Sequence, residues 1–420
     1  MFQFLHAADL HLDSPLHGLE QYEGAPVDAI RQATRRALEN LVQLAIDEQV
    51  AFVVIAGDIY DGDWKDYNTG LFFTTQMSRL AEAGIRVYMI SGNHDAQSII
   101  SRKLPLPENV RVFPTDRPDT TIDEATGAAI HGQGFATRAV LADLSANYPQ
   151  AAGGRFNIGV LHTCATGIEG HDPYAPCTID GLRDLGYDYW ALGHIHIRQF
   201  LCEQSPVIAF SGNIQGRHIR ETGPKGCWLV TVEGGQPTCE FRALDVFRWE
   251  HLEIDGSEHE TADDVSACII ERVRRELDDA DGRPLAVRIT LYGSCAAHEE
   301  LLSRQDHFEQ EIRARIIDEA RQRVWIEKLR VATEPIREEE PTIGEGPLAE
   351  LRNLVAHVDD DPELQKVLAE ELSALRKLPR EVRDALLAEF DEATGLDDPR
   401  WLASLARQAG GELFGKLADE

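Results

Sequence analysis

Five short apolar runs, FQFLHAAD, FVVIAGD, IRVYMISGN, FNIGVLH and YDYWALGH, recur through the first half of the chain, and each stops at Asp, Asn or His. Runs of this length, rich in Val, Ile, Phe and Tyr and closed by polar residues, read as β-strands ending in loops. Helical patterns lie between the first three, over 26–49, where Ile30, Leu38, Leu41, Val42 and Leu44 share related faces, and over 68–83. Strand alternating with helix is the pattern of an α/β domain, and the loops at the carboxyl ends of such strands converge on one edge.

Beyond Phe210 the segments VIAFSG, GCWLVTV and CEFRAL follow one another without helices, an all-β half that completes a domain over 1–246. Residues 247–335 repeat the strand–helix alternation on a smaller scale and read as an appended α/β domain. An acidic linker with Pro and Gly breakers fills 336–347, and 348–420 is helical throughout. In that tail Asp361-Pro362 supplies an N-cap and first-turn proline before a stripe of Leu364, Val367, Leu368, Leu372 and Leu375; Val382, Leu386, Leu387 and Phe390 form a second stripe. Such short amphipathic helices pack on each other or on a partner.

Hydrophobic residues make up 43% of the 420, enough for a sizeable core. The N-terminal run meets Asp9 long before a signal peptide or membrane span would be complete, and the seven cysteines are odd in number without a C-x-x-C pair. A cytoplasmic protein with reduced thiols and no thiolate zinc site is expected. The formal net charge of −31 opposes nucleic-acid binding, which draws its affinity from Lys and Arg on phosphates.

The strand ends carry Asp9-x-His11, Gly57-Asp58-x-x-Asp61, Gly92-Asn93-His94-Asp95, His162 and Gly193-His194-x-His196. These are oxygen and imidazole donors without sulfur, the set that suits Mn²⁺, Fe²⁺ or Zn²⁺. If the chain stays extended through 194–196, both imidazoles point to the same side. His6 and His131, inside apolar runs, read as hydrogen-bonded core histidines.

Taken in order, D-x-H, G-D-x-x-D, G-N-H-D, a lone His and G-H-x-H resemble the calcineurin-like metallophosphoesterase superfamily. FLHAADLHLDSP and SGNIQGRHIRETGPKGC resemble its SbcD/YhaO-like bacterial exonucleases. The resemblance implies a four-layer α/β/β/α sandwich with a small α/β capping domain and a helical C-terminal tail. It implies two divalent ions, expected to be Mn, with Asp9, His11, Asp58 and His196 on one, Asp58, Asn93, His162 and His194 on the other, and Asp58 bridging. Two cations about 3.5–4 Å apart activate a water and clamp the oxygens of an in-line displacement at phosphorus.

His94 resembles the histidine that stabilises the transition state or protonates the leaving oxygen, with Asp95 orienting it and holding its charge. Asp61 stands where archaeal and eukaryotic relatives carry histidine, and is a candidate substrate contact. Arg217, His218, Arg220 and Lys225 are either a basic patch for DNA or ordinary loop charges. The resemblance further implies DNA exonuclease action in repair, a coiled-coil SbcC-like ATPase on the C-terminal helices, and a homodimer through the helices flanking Asp61. A small-molecule or nucleotide phosphodiesterase, and a scaffold subunit without catalysis, are the alternatives.

Overall fold

The computed structural model describes residues 1–14, 32–61, 67–97, 105–165, 174–320, 323–336, 347–358, 361–372, 377 and 398–418. Compactness divides the chain into one unit of Met1–His251, Glu276–Arg288 and Ala320–Glu327, and another of Leu252–Arg275, Ile289–Glu319 and Lys328–Glu420.

The first unit holds two six-stranded sheets. One runs β12 (Gln236–Ala243), β11 (Gly226–Glu233), β1 (Phe2–Ala7), β2 (Phe52–Ala56), β3 (Arg86–Ile90), β4 (Val110–Val112), with β1 to β4 parallel. The other runs β5 (Asp119–Ile122), β6 (Ala129–Gly132), β7 (Asn157–His162), β8 (Tyr189–Gly193), β10 (Val207–Phe210), β9 (Gln199–Cys202).

Side-chain alternation along the strands builds the layers. In β1 and β2, Phe4, Phe52 and Val54 pack with Ile130, Ile158, Val160 and Tyr189 of the other sheet. Their neighbours Leu5, Val53 and Ile55 pack outward with Leu38, Leu41 and Phe73 of helices Ala33–Asp47 and Tyr67–Glu82. On the far side Leu161, Trp190 and Ile208 cover Leu182 of helix Ile179–Asp184. The result is the expected α/β/β/α sandwich.

The three late strands read as one all-β half divide between the sheets: β10 lies beside β8 in parallel, while β11 and β12 extend the β1 sheet antiparallel. His6 is a core histidine as expected, its Nδ1 2.9 Å from the Tyr189 hydroxyl and its Nε2 3.1 Å from the Leu192 carbonyl. His131 lies 3.1 Å from Asn157 Oδ1 and stacks on Tyr187.

Phe4 stacks on Phe52 at 5.1 Å between ring centroids and meets the edge of Tyr189 at 5.4 Å. Phe4→Ala is expected to destabilise the fold by about 3–5 kcal/mol, read as a lowered urea midpoint with an unchanged slope.

A third sheet runs β13 (Arg248–Asp255), β14 (Leu285–Cys295), β15 (Val324–Pro335), and the division into units passes along these three strands. The second unit also contains helices Ala262–Asp279, up to Arg275, and Gln305–Glu319. In its C-terminal part Asp361 caps helix Pro362–Glu371, accepting from the backbone N–H of Glu363 and Leu364 at 3.1 and 3.0 Å. Leu368 and Leu372 pack against Trp401 and Leu402 of helix Pro399–Ala418. Part of the stripe is therefore covered by the chain itself.

Leu375, the second stripe at 382–390, most of the 336–347 linker and the stretch following Asp61 lie outside the described residues. All seven cysteines are free. Among the described residues no helix is long and apolar enough to cross a membrane.

Candidate metal centre

The polar residues at the strand ends gather at the carboxyl edges of β1, β2, β3, β7 and β8. The loops after β1 and β2 are tied together by backbone bonds of 3.0 Å from Asp9 N–H to the Gly57 carbonyl and from His11 N–H to the Asp58 carbonyl. Four donors sit in the left-handed backbone region, Asp9 at φ 52°, His11 at 41°, Asp58 at 52° and His194 at 98°. Non-glycine residues adopt this conformation at a cost, and such strain gathers where a side chain must be aimed.

This overturns the extended reading of 194–196. β8 ends at Gly193 and the chain turns at His194; the two imidazoles still belong to different clusters.

One ligand atom from each member lies within 4.8 Å of the others in three groups: Asp9, His11 and His196; His11, Asp58 and His94; and Asp58, His162 and His194. Asp58 belongs to two of them. Its Oδ2 lies 3.8 Å from His11 Nε2 and 3.4 Å from His162 Nε2. His11 Nε2 and His196 Nε2 face each other at 3.2 Å, and Asn93 Oδ1 lies 2.8 Å from His162 Nε2.

Two of the ring nitrogens are fixed from behind. His162 Nδ1 donates to the Ala56 carbonyl at 2.9 Å, and His196 Nδ1 donates to Glu221 Oε1 at 2.7 Å. Bonds of this kind set the tautomer and leave Nε2 as the ligand atom. Asp9 accepts from the His194 N–H at 3.0 Å through Oδ2, which holds the first loop against the last.

Burial sets much of the electrostatics. It lifts Asp9 to about 6 against the pull of His196 and His162, and drives His11 down to about 3 with Arg217 adding to the effect. Burial also opposes charge on Asp58, yet the surrounding His162, His11 and His94 hold its carboxyl well below the usual range. Burial pulls His162 down, but Asp58 and Asp9 carry it up to about 9.

His94 stands apart, its side chain 31% exposed where His11, Asp58 and His162 are buried. Its Nδ1 lies 2.9 Å from Asp61 Oδ1. Burial lowers its affinity for a proton, but Asp61 and Asp58 together raise it above the ordinary value.

The sequence assigns Asp95 to orient His94, and the structure puts Asp61 there. The buried Asp95 carboxylate instead accepts backbone N–H bonds from Gly92, Ile59 and Tyr60 at 2.9–3.0 Å, tying the third loop to the second.

The basic stretch after β10 is also corrected. Lys225 is buried and donates to the His196 carbonyl at 3.2 Å, so it is not a phosphate contact. Arg217 turns inward to Glu221 at 3.2 Å, and His218 lies 3.4 Å from the same carboxylate. Arg220 alone of the four is fully exposed. Glu221, which sequence reasoning missed, is the buried acid that organises this loop. Its only sequence signal is a carboxylate four residues after Arg217 within a basic run.

The motif glycines make room for the ligands. A Cβ on Gly57, at φ 95°, would lie 2.6 Å from His162 Nδ1, and one on Gly92 would collide with Asp58 Oδ1 and its backbone. Gly92→Ala is expected to displace Asp58 and lower activity by about 10²-fold, because a shift near 1 Å at a reacting site costs that much. Mn²⁺ titration of the variant, which would show weakened binding with the fold retained, checks this.

Two comparisons decide the family. Residues 2–198 match the calcineurin-like phosphoesterase model, and the chain is 38% identical over 298 residues to the metallophosphoesterase YhaO of Bacillus subtilis, covering 69% of this chain and 72% of that protein. The chain belongs to the calcineurin-like metallophosphoesterases. Residues 249–334 of this metallophosphoesterase match the middle domain of YhaO. It is also 27% identical over 258 residues to the DNA double-strand break repair protein Mre11 of Sulfurisphaera tokodaii, covering 58% of this chain and 63% of that one.

Members of this family use a dimetal centre, and the donor set fits one. The donors are carboxylate, amide oxygen and imidazole nitrogen without thiolate, Asp58 is shared between clusters, and the Nε2 atoms of His11 and His196 lie 3.2 Å apart.

Proposed function

We propose that the protein is a Mn²⁺-dependent phosphodiesterase acting as a DNA exonuclease in repair, in the cytoplasm. The observation that carries this reading is Asp58 standing in two donor groups, one with His162 and His194 and one with His11 and the accessible, Asp61-backed His94. Asp9, His11, Asp58 and His196 would hold one ion, and Asp58, Asn93, His162 and His194 the other. When bound, such ions lower the pKa of a water and draw charge from phosphate oxygens.

The chain's own residues do the rest. His162 and His196, held by the Ala56 carbonyl and Glu221, keep their Nε2 lone pairs in place. His94, whose hold on a proton Asp61 and Asp58 strengthen, would present its Nε2–H to the leaving oxygen. Asp95 staples the loop that carries Asn93 and His94.

The similarity to Mre11 supports DNA as substrate. The 247–335 domain is proposed to cap the site, and the 348–420 helices to dock a coiled-coil ATPase, with dimerisation around Asp61.

A second reading, a small or nucleotide phosphodiester as substrate, is favoured by the inward-turned Arg217 and Lys225 and the net charge of −31. Labelled single- and double-stranded DNA and bis(p-nitrophenyl) phosphate, each given to the purified chain with Mn²⁺, separate the two. Shortening of DNA from its ends supports the exonuclease; hydrolysis of the small diester with every DNA intact supports the second reading.

A further inference from the structure

The loop after β10 joins the two sides of the site. His196 Nδ1 donates to Glu221 Oε1 at 2.7 Å, and Arg217 Nη2 donates to the same oxygen at 3.2 Å. Arg217 Nη1 donates to Ser14 Oγ at 3.3 Å, Ser14 Oγ donates to Asp61 Oδ2 at 2.8 Å, and Asp61 Oδ1 faces His94 Nδ1 at 2.9 Å. At the junction the serine hydroxyl gives its proton to Asp61 and takes Arg217 on a lone pair, while Arg217 Nε is left without a partner.

Both carboxylates are paired rather than left to water. Glu221 Oε2 also accepts the Arg217 N–H at 2.7 Å and the Asn213 side-chain N–H at 2.9 Å. The side chain of Arg217 is 13% exposed and that of Glu221 5%. A buried hydrogen-bonded network of this kind fixes geometry, because breaking a link strands a polar group.

We propose that Glu221 and Arg217, with Ser14 and Asp61, form one hydrogen-bonded chain that positions His196 and His94 together. Glu221 and Arg217 are thus positioning residues of the centre and not a DNA-binding surface. This rests on the phosphodiesterase reading for His94, while its His196 arm can be read from metal binding alone.

The test uses the full chain and its Glu221→Gln, Arg217→Gln, Arg217→Lys and Arg217→Gln/Asp61→Asn variants. Mn²⁺ is titrated by calorimetry, and kcat and KM are measured on DNA and on a dinucleoside phosphate. Glu221→Gln is expected to weaken Mn²⁺ binding about 10- to 100-fold, the usual effect of removing a carboxylate behind a ligand histidine. Arg217→Gln should lower kcat about tenfold on both substrates with KM kept, Arg217→Lys should not restore it, and the double variant should lose far less than the product of the single losses.

Mn²⁺ binding unchanged in Glu221→Gln would overturn the proposal. So would an Arg217→Gln effect confined to KM on DNA, recovery by lysine, or simple additivity. If the parent chain cleaves neither substrate, the phosphodiesterase reading fails, and the calorimetric result alone decides the Glu221 arm.

Discussion

Replacing Asp58 by Asn is expected to abolish the two-metal centre while leaving the fold in place. Asp58 is the carboxylate common to the His11 and His162 clusters, and the imidazoles around it keep it ionised against the effect of burial. Asparagine preserves the shape but removes the charge that two cations would share. Loss of a shared metal forfeits several kcal/mol of charge stabilisation at phosphorus, so kcat/KM should fall by about 10³-fold or more. Calorimetry should show Mn²⁺ binding weakened at both sites together. A variant that binds one ion normally would mean that Asp58 serves a single site.

His94→Ala carries the second large effect, and its size depends on the substrate. General-acid assistance contributes about 10²- to 10⁴-fold when the leaving oxygen is strongly basic, as in DNA. The p-nitrophenolate of bis(p-nitrophenyl) phosphate leaves without a proton, so the same variant should lose about tenfold or less there. Mn²⁺ affinity should stay near that of the parent, since His94 reaches the solvent while the other donors of its cluster are buried. Equal losses on both substrates would assign His94 to the phosphate oxygens and not to the leaving group.

The strand ends were legible in the sequence because each apolar run stops at a donor, and parallel strands of one sheet must deliver their loops to one edge. That argument reaches Asp9, Asp58, Asn93, His162 and His194, and the core positions of His6 and His131 follow from their apolar surroundings. It does not reach the residues that stand behind the donors. Asp61, not the adjacent Asp95, meets His94, and Glu221 meets His196 from 25 positions away.

Neither pairing has a periodicity, because each depends on loops whose backbone turns left-handed at Asp9, His11, Asp58 and His194. The 217–225 loop failed for the same reason. Its charges look like a surface patch in sequence, and only the fold shows Lys225 buried beneath His196. The late strands were identified as strands but not by sheet, since hydrophobic alternation gives a strand's faces and not its neighbours.

Anomalous diffraction at the manganese edge, from crystals soaked in Mn²⁺, would locate the ions of a two-metal centre built around Asp58. Two peaks about 3.5–4 Å apart are expected with the Asp58 carboxylate between them, one beside His11 and His196 and the other beside His162 and His194. A single peak, or peaks away from Asp58, would contradict such a centre.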